Sequence, residues 1–307
     1  MPAMNQFAVL GAVIFLYLCA ELTVRYWRLA DYIRYRPAAD IGYAPQPNSS
    51  GSFRRRYRWR FNSIGIRTDE DAPVEPDSLV LVGDSIVEGG AKVGQEVTLG
   101  YLVSQRTGKP VHPVGAGGWT LENEFAFLRK HPELLSAGVF VMVTNSDDLR
   151  AINPWSSHST HPTSPPISHL AYLVRRFSWP NRQRLLARLG RRPVPGASGP
   201  GGNDQWMRSV SAFLEIYQGR LIWVLYPDRT EFAGRIAPCQ ALRPLIAGRA
   251  ETVELLHLSG WGLDCYHDRL HPNDTGRKLL ADTISAVVLG AADGSEFSVR
   301  GQPCSST

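Results

Sequence analysis

The sequence predicts an α/β fold, a three-layer α/β/α sandwich in which helices cover both faces of a five-stranded, mainly parallel sheet, preceded by an N-terminal transmembrane helix. Three observations predict it. Short apolar runs of strand length recur along the chain, amphipathic stretches of helical length lie between or after them, and one longer apolar run stands near the N-terminus. This alternation is typical of a parallel sheet, because each crossover connection lays a helix over one face.

The N-terminal run is apolar or glycine at every position from Phe7 to Ala20. It covers roughly 21 Å of a hydrocarbon core about 30 Å thick, so a span must also use earlier residues or continue past Glu21, whose side chain can snorkel. Basic residues are absent ahead of the run and no small-x-small pattern ends it, which is unlike a cleaved signal peptide. We therefore predict that residues 1–27 are an uncleaved, single-pass membrane anchor rather than a signal peptide or a buried helix.

The charge of the chain is concentrated at its start. The first 67 residues carry ten arginines and three acidic residues, whereas acids slightly outnumber bases in the remainder. This distribution argues against a nucleic-acid-binding body and indicates a segment near a membrane or an anion. We predict that residues 28–77 are a juxtamembrane linker and lead-in. In it, Phe53–Phe61 alternates aromatic and arginine side chains, which predicts a half-buried strand whose arginines face solvent, lipid headgroups or an acidic polymer.

The globular body is predicted to span residues 78–290, with an insertion at 151–206 and a flexible C-terminal tail at 291–307. Five apolar runs predict its buried strands: Ser78–Val82, Pro110–Val114, Val139–Thr144, Arg220–Tyr226 and Thr252–Leu258. Amphipathic stretches predict helices around 96–106, 120–130, 235–248 and 275–289. The insertion joins a Pro/Ser/His-rich stretch, a helical stretch from Leu170 to Leu189 and a Gly/Pro/Arg-rich stretch.

A serine stands where the first predicted strand turns into a helix, in the sequence Gly83–Gly89. The carboxyl end of a parallel strand is the usual place for chemistry in open α/β sheets, and the following helix offers N–H groups to a developing oxyanion. Near the C-terminus, Asp268 precedes His271 by three residues. This spacing lets Asp268 fix the tautomer of His271 while the other ring nitrogen faces Ser85, which predicts a Ser-His-Asp triad.

Together these residues resemble the SGNH, or GDSL-like, hydrolase family over residues 78–290. The matching positions are Gly83, Asp84, Ser85 and Gly89 in the first block, Gly115 and Gly118 in the second, and Asp268, His271 and Pro272 in the last. The segment from Gly42 to Arg67 is similar to the lead-in of membrane-anchored members. The resemblance implies a flavodoxin-like sheet, acyl-transfer chemistry, and an oxyanion hole formed by the N–H groups of Ser85 and Gly118 and by an asparagine amide.

The third block of the family is less regular in this chain. It reads Thr144-Asn145-Ser146-Asp147-Asp148, so either Asn145 or Asp147 occupies the oxyanion-hole position. We expect Asn145, because a carboxylate would repel the charge that the site must hold.

Three further residues are candidates for the substrate rim: Asp84, Trp119 and Trp261. The two tryptophans could stack on a sugar ring, although packing is the alternative role for each. Three histidines of the insertion have no accompanying cysteine or well-placed carboxylate: His158, His161 and His169. We therefore predict no metal and no other cofactor.

The sequence thus predicts a membrane-anchored serine esterase or O-acyltransferase whose substrate is an acyl ester, such as an acetyl group of a cell-envelope polysaccharide. The alternatives are a non-catalytic binding or assembly protein of the same fold and a lipid-directed esterase. The arginines after the apolar run favour a cytoplasmic body. The family resemblance, together with a Cys239–Cys265 bridge if one forms, favours a periplasmic or other extracytoplasmic body, and we expect the latter.

Overall fold

The computed structural model describes residues 6–69, 71–188 and 204–290, and it describes no side chains within 179–188. The first helix, α1 (Gln6–Tyr26), is long and apolar enough to cross a membrane, with a mean hydropathy of 2.2 over its most apolar window. Its last turns pack on the insertion. There Glu21 accepts hydrogen bonds from the backbone N–H groups of His169 at 2.9 Å and Leu170 at 2.8 Å.

The lead-in folds into two antiparallel hairpins. Strand β1 (Tyr35–Ala38) pairs with β2 (Gly42–Pro45), and β3 (Ser50–Phe53) pairs with β4 (Tyr57–Arg60). The single strand predicted over Phe53–Phe61 is therefore wrong at its start.

The second hairpin turns at residues 54–56. Arg54 and Arg55 adopt left-handed φ angles of 52° and 55°, which reverse the chain. Beyond the turn the predicted alternation holds, because Trp59 is buried while Arg58 and Arg60 are exposed.

The lead-in belongs to the core of the body and is not a free linker. Tyr43, Trp59, Phe61 and Ile66 are each no more than 1 % exposed and pack in the same cluster as the sheet. The structure differs from the predicted linker. In the sequence these four buried residues stand apart among prolines and polar residues, so no continuous apolar run marks them.

The predicted central sheet is confirmed. Its strands, all paired in parallel, are β5 (Leu79–Gly83), β6 (Val111–Gly115), β7 (Val139–Thr144), β8 (Arg220–Leu225) and β9 (Glu251–Glu254), in the order β6-β5-β7-β8-β9. The prediction for the last strand was wrong beyond residue 254, where the chain forms a 3₁₀ turn at Leu255–His257. The order reverses at β5, so the carboxyl ends of β5, β6 and β7 meet at the switch point where open α/β sheets bind ligands.

The helices complete both outer layers. They are α2 (Ser85–Glu88), α3 (Leu99–Thr107), α4 (Leu121–Lys130), α5 (His169–Arg188), α6 (Gln205–Ile216), α7 (Arg229–Gly234), α8 (Arg243–Ile246) and α9 (Asp274–Val288). The helix predicted over 235–248 is wrong. Arg235 and Cys239 adopt left-handed φ angles, so α7 ends at Gly234, before the predicted span, and only α8 lies within it. The sequence analysis missed α6, although the spacing of Trp206, Val210 and Phe213 follows one helical face.

Alternate side chains of the strands supply two separate cores. Val80 and Val82 face one layer, which holds α4, α6 and the lead-in, whereas Leu79 and Leu81 face the layer of α3 and α9. Cys239 packs in the first core and Cys265 in the second, and both thiols are free. The Cys239–Cys265 bridge is therefore excluded, because the sheet separates the two residues. The predicted tail at 291–307, and most of the Gly/Pro/Arg-rich stretch, lie outside the described residues.

Candidate active site

A tight turn carries Ser85 from the end of β5 into α2. At Gly83 a β-carbon would lie 2.7 Å from a methyl carbon of Val87, so a larger residue does not fit there. Asp84 is the N-cap of α2, and its Oδ1 accepts a 2.8 Å hydrogen bond from the backbone N–H of Ile86. The turn therefore holds Ser85 at the amino end of a short helix.

Ser85, His271 and Asp268 form a continuous hydrogen-bonded chain. Ser85 Oγ lies 2.8 Å from His271 Nε2, and His271 Nδ1 lies 2.9 Å from Asp268 Oδ2. Because an ionised carboxylate only accepts hydrogen bonds, Nδ1 carries the proton and donates it to Asp268. His271 Nε2 is then free to accept the proton of the serine hydroxyl. The structure thus brings together the three residues that the sequence singled out as a triad.

The carboxylate of Asp268 is also held by the backbone. Its Oδ1 accepts the N–H groups of Leu270 at 2.9 Å and His271 at 2.8 Å. Partial burial raises the pKa of Asp268, but these N–H groups and the His271 ring outweigh burial, and the net pKa is lowered. Asp268 is therefore ionised at neutral pH and can stabilise a protonated imidazole.

The loop that bears His271 is anchored to the sheet. Tyr226, directly after β8, donates its hydroxyl to the carbonyl of Leu270 at 2.8 Å. An isolated antiparallel bridge pairs Tyr266 with Pro272. These contacts restrain the imidazole from both sides of the loop.

The backbone beside Ser85 can stabilise an oxyanion. The N–H groups of Ser85 and Gly118 have no hydrogen-bond partner among the described residues, and both residues line one cavity. The Gly118 carbonyl accepts the Asn153 amide at 2.7 Å, and the Gly117 carbonyl accepts the Tyr43 hydroxyl at 2.7 Å. Fixed carbonyls fix the N–H groups of the same turn, which is the preorganisation that an oxyanion hole requires.

Asn145 lies beneath this site with its side chain fully engaged. Its Nδ2 donates to Asp148 at 2.8 Å and to Asp84 at 3.3 Å, while its Oδ1 accepts the backbone N–H of Asp147 at 2.8 Å. The residue is 1 % exposed and is not among those that line the cavity. Ser85 Oγ lies 3.4 Å from the same Asp84 oxygen that Asn145 contacts, so Asp84 links the amide to the serine through two hydrogen bonds.

Asp147, the other candidate for the third block, does line the cavity. Its carboxylate forms ion pairs with Arg150 and Arg269. Two guanidinium groups therefore compensate its charge, and the repulsion expected from a carboxylate at this position is reduced.

Three buried carboxyl groups lie close to Asn145 and Ser85: Asp84, Glu124 and Asp148. Burial raises the pKa of each, well above the ordinary value for Glu124 and Asp148. Both carboxyl oxygens of Glu124 have no hydrogen-bond partner. Burial therefore disfavours a negative charge on each of these three carboxyl groups.

The sequence analysis gave no role to Glu88 and Tyr35, which also line the cavity. Glu88 accepts the Tyr35 hydroxyl at 2.6 Å, and burial raises the pKa of Glu88 to about 7. A glutamate inside the short, buried helix α2 is a sequence feature that could have indicated a functional residue. Tyr35 had none, because 53 positions separate it from its partner.

The cavity has a volume of about 530 Å³. Besides the triad edge and the Gly117–Thr120 turn, its walls come from the lead-in and the insertion: Tyr32, Tyr35, Asn153, Thr160, His161 and Arg176. Hydroxyl, amide and guanidinium groups stand among the aromatic rings of these walls. They can form hydrogen bonds with a polar substrate.

The structure places the three predicted rim residues differently. Asp84 and Trp119 line the cavity, although Trp119 is only 2 % exposed and donates its indole N–H to the Tyr43 carbonyl at 2.8 Å. Trp261 lies in the other core, packed on Tyr226 and bonded to the Tyr266 hydroxyl. The rim role proposed for Trp261 is therefore wrong, because its ring is used for packing under the His271 loop.

The insertion histidines do not converge on one point. His161 Nε2 donates to the Gly117 carbonyl at 3.0 Å, and His158 Nδ1 contacts Thr163 Oγ1 at 3.0 Å. Within 6–69, 71–188 and 204–290, no group of three or more His, Cys, Asp or Glu side chains is arranged to hold a metal ion.

Comparisons with known proteins gave matches among solved structures alone: no family model matches the chain, and no curated protein matches its sequence. A GDSL-like lipase from Bacteroides thetaiotaomicron is 15% identical, with a TM-score of 0.40, 71% of this chain and 90% of that chain covered. A member of the lipolytic protein G-D-S-L family from Veillonella parvula is 12% identical, with a TM-score of 0.39 and coverage of 68% and 96%.

A third match is a carbohydrate esterase family 2 enzyme with a carbohydrate-binding domain from Corynascus thermopiles. It is 14% identical, with a TM-score of 0.41, 74% of this chain and 70% of that chain covered. The chain resembles SGNH hydrolases. That is also the family that its motifs resemble.

Proposed function

We propose that this chain is a serine esterase or O-acyltransferase of the SGNH type, with Ser85 as nucleophile. The observation that carries the proposal is the hydrogen-bonded chain from Ser85 through His271 to Asp268, beside two unpartnered backbone N–H groups in one cavity. Nucleophile, base, orienting carboxylate and oxyanion donors are the parts that acyl transfer requires.

The reaction follows from these positions. His271 Nε2 takes the hydroxyl proton as Ser85 Oγ bonds to the ester carbonyl carbon, and Asp268 stabilises the imidazolium that forms. The N–H groups of Ser85 and Gly118 bind the oxyanion. The tetrahedral intermediate then expels the alcohol, which receives its proton from His271. Water or an acceptor hydroxyl repeats the sequence and releases the acyl group from Ser85.

Asn145 is the proposed third donor to the oxyanion. The hydrogen bond from the Asn145 amide to Asp84, at 3.3 Å, is longer than the one to Asp148. The longer bond to Asp84 is the one that an oxyanion would replace. The Asp148 bond would continue to orient the amide during the exchange.

A carbohydrate ester is the proposed substrate. Tyr32, Tyr35 and His161 line the cavity with aromatic rings, among hydroxyl and amide groups that can bond sugar hydroxyls. We also infer that α1 anchors the protein in a membrane. Because α1 packs on the start of α5 through Glu21, the anchor would hold the insertion side of the cavity near the membrane surface.

The second candidate function is a non-catalytic binding or assembly protein. It is favoured by one observation, the commitment of the Asn145 amide to two carboxyl groups instead of the cavity. Without that donor the oxyanion hole would consist of two backbone N–H groups. Loss of one such donor typically lowers the rate by roughly 10²–10³-fold.

Hydrolysis of 4-nitrophenyl acetate by the full chain in detergent tests the proposal. We expect turnover that Ser85→Ala abolishes, while Ser211→Ala, at an exposed serine on α6, leaves it intact. Asn145→Ala should lower kcat by roughly 10²-fold or more if the amide reaches the oxyanion. Turnover retained in folded Ser85→Ala, or a folded wild type without any turnover, would overturn the esterase proposal and leave the binding protein.

A further inference from the structure

The wall of the cavity formed by the insertion contains a fixed guanidinium. Arg176, on α5, lines the cavity together with Tyr32 and Thr160. Its Nη1 donates to the carbonyl oxygens of Ser159 at 2.6 Å and Thr160 at 3.3 Å. The guanidinium carbon lies 4.0 Å from the centroid of the Tyr32 ring. Backbone carbonyls and a cation–π contact therefore hold the group in one orientation.

The remaining edge of this guanidinium has no protein partner. The Nε and Nη2 atoms of Arg176 make no hydrogen bond to the described residues, and no carboxylate there lies within ion-pair distance. The other arginine of the cavity differs, because Arg150 is paired with Asp147. Among the described residues, no carboxylate therefore compensates the charge of Arg176 in the cavity.

The charge of Arg176 acts inside the cavity. Its guanidinium lowers the pKa of His161, after the larger effect of burial, and it opposes the burial that raises the pKa of Tyr35. His161 is therefore neutral at pH 7 and adds no second positive charge to this wall. Arg176 therefore contributes a positive charge to the wall of the cavity that the insertion forms.

A free Nε–Nη2 edge offers two parallel N–H donors, the geometry that matches a carboxylate in a bidentate pair. A cavity of this volume is roughly 10 Å across if it is taken as a sphere, so one ligand can reach both Arg176 and Ser85.

We propose that Arg176 forms a carboxylate-binding subsite, and that the substrate is an acyl ester of an acidic sugar, a uronic acid. This inference rests on the proposed esterase function and adds the substrate class. The carboxylate binds the free edge of Arg176, the sugar lies against Tyr32 and Tyr35, and the ester reaches Ser85. Arg176 selects the substrate and takes no part in the acyl transfer.

Two probes that differ only in charge test the subsite: oligogalacturonate and its methyl ester. Binding of each to the full chain in detergent is measured by calorimetry, and release of acetate is measured from O-acetylated forms of both. Wild type should bind the free acid roughly 10- to 100-fold more tightly than the methyl ester, as expected for a bidentate charge-assisted pair. The same preference should appear in kcat/KM, mainly through KM.

Arg176→Gln should abolish this preference for the free acid. Arg176→Lys keeps the charge but lacks the two parallel N–H donors, so it should retain only part of the preference. The matched control is Arg175→Gln, at the exposed neighbour on the same helix, which should keep the full preference. Thermal unfolding of each variant separates loss of binding from loss of fold.

Equal affinity of the wild type for acid and methyl ester, or an unchanged preference in folded Arg176→Gln, would overturn the subsite. If the wild type hydrolyses acetyl esters but has no preference, the subsite is wrong and the esterase stands. If it binds the acid through Arg176 without releasing acetate, the subsite is supported and the esterase proposal is wrong.

Discussion

Glu88 gives a prediction whose size follows from its burial. Its side chain is 2 % exposed and accepts the Tyr35 hydroxyl at 2.6 Å, and burial raises its pKa from 4.5 to about 7. The folded state therefore holds this proton more tightly than the unfolded chain does. The stability contributed by the proton is complete below pH 4.5 and is lost as the pH rises toward 7.

The size of this loss of stability follows from the shift in the pKa of Glu88. At about 1.4 kcal/mol for each pH unit, a rise from 4.5 to about 7 corresponds to about 3 kcal/mol, most of which is lost between pH 5 and pH 8. The group is completely buried, so solvent screening does not reduce this value. Glu88→Gln keeps an acceptor for Tyr35 but cannot ionise, and it should therefore remove this part of the pH dependence.

Urea unfolding of the full chain in detergent, followed by tryptophan fluorescence at pH 5 and pH 8, measures the effect. Between these values the free energy of unfolding should fall by about 2 to 3 kcal/mol more in the wild type than in Glu88→Gln. Glu215→Gln, at an exposed glutamate on α6, should behave as the wild type. An equal fall in wild type and Glu88→Gln would refute the reasoning, because it would mean that Glu88 titrates alike in both states.

Two further predictions concern the site. Asp268→Asn should lower kcat for 4-nitrophenyl acetate by roughly 10²–10⁴-fold, because an amide that donates to His271 Nδ1 leaves the ring proton on Nε2. The control Asp282→Asn should remain active. If kcat of Asp268→Asn falls by less than about tenfold, the proposed role of the carboxylate is wrong. Gly118→Ala should lower kcat by roughly tenfold or more in the same assay, since φ is +78° and the new methyl would lie 3.2 Å from Tyr43 Oη. The control Gly248→Ala has the same left-handed backbone strain but open space around the new methyl. If both variants lose activity equally, backbone strain alone explains the loss in Gly118→Ala.

The docking of α1 on the insertion links the proposed anchor to the cavity. Glu21 accepts the first backbone N–H groups of α5, and Arg176 lies two turns further along the same helix. The orientation of α5 relative to α1 therefore also fixes the wall that carries Arg176. A membrane anchor in this position would present the proposed carboxylate subsite close to the bilayer surface.

The sequence by itself determined the sheet and singled out Ser85, His271 and Asp268. Strands β5, β7 and β8 are buried on both faces and read as nearly continuous apolar runs, and four of the five strands were predicted to within about one residue. Ser85 stands in a local turn signal, and three residues separate Asp268 from His271. Local patterns suffice for such features, because strand ends and short loops are specified by neighbouring residues.

Only the tertiary structure decided the composition of the cavity. Tyr35 meets Glu88, Tyr43 meets Gly117, and Arg176 meets Tyr32 across separations that no local pattern encodes. The separation of Cys239 from Cys265 by the sheet and the turning of Asn145 toward buried carboxyl groups also depend on packing. Contacts of this kind form when distant segments share one core, so the sequence determines the chemistry that the site contains, and the fold determines what can enter it.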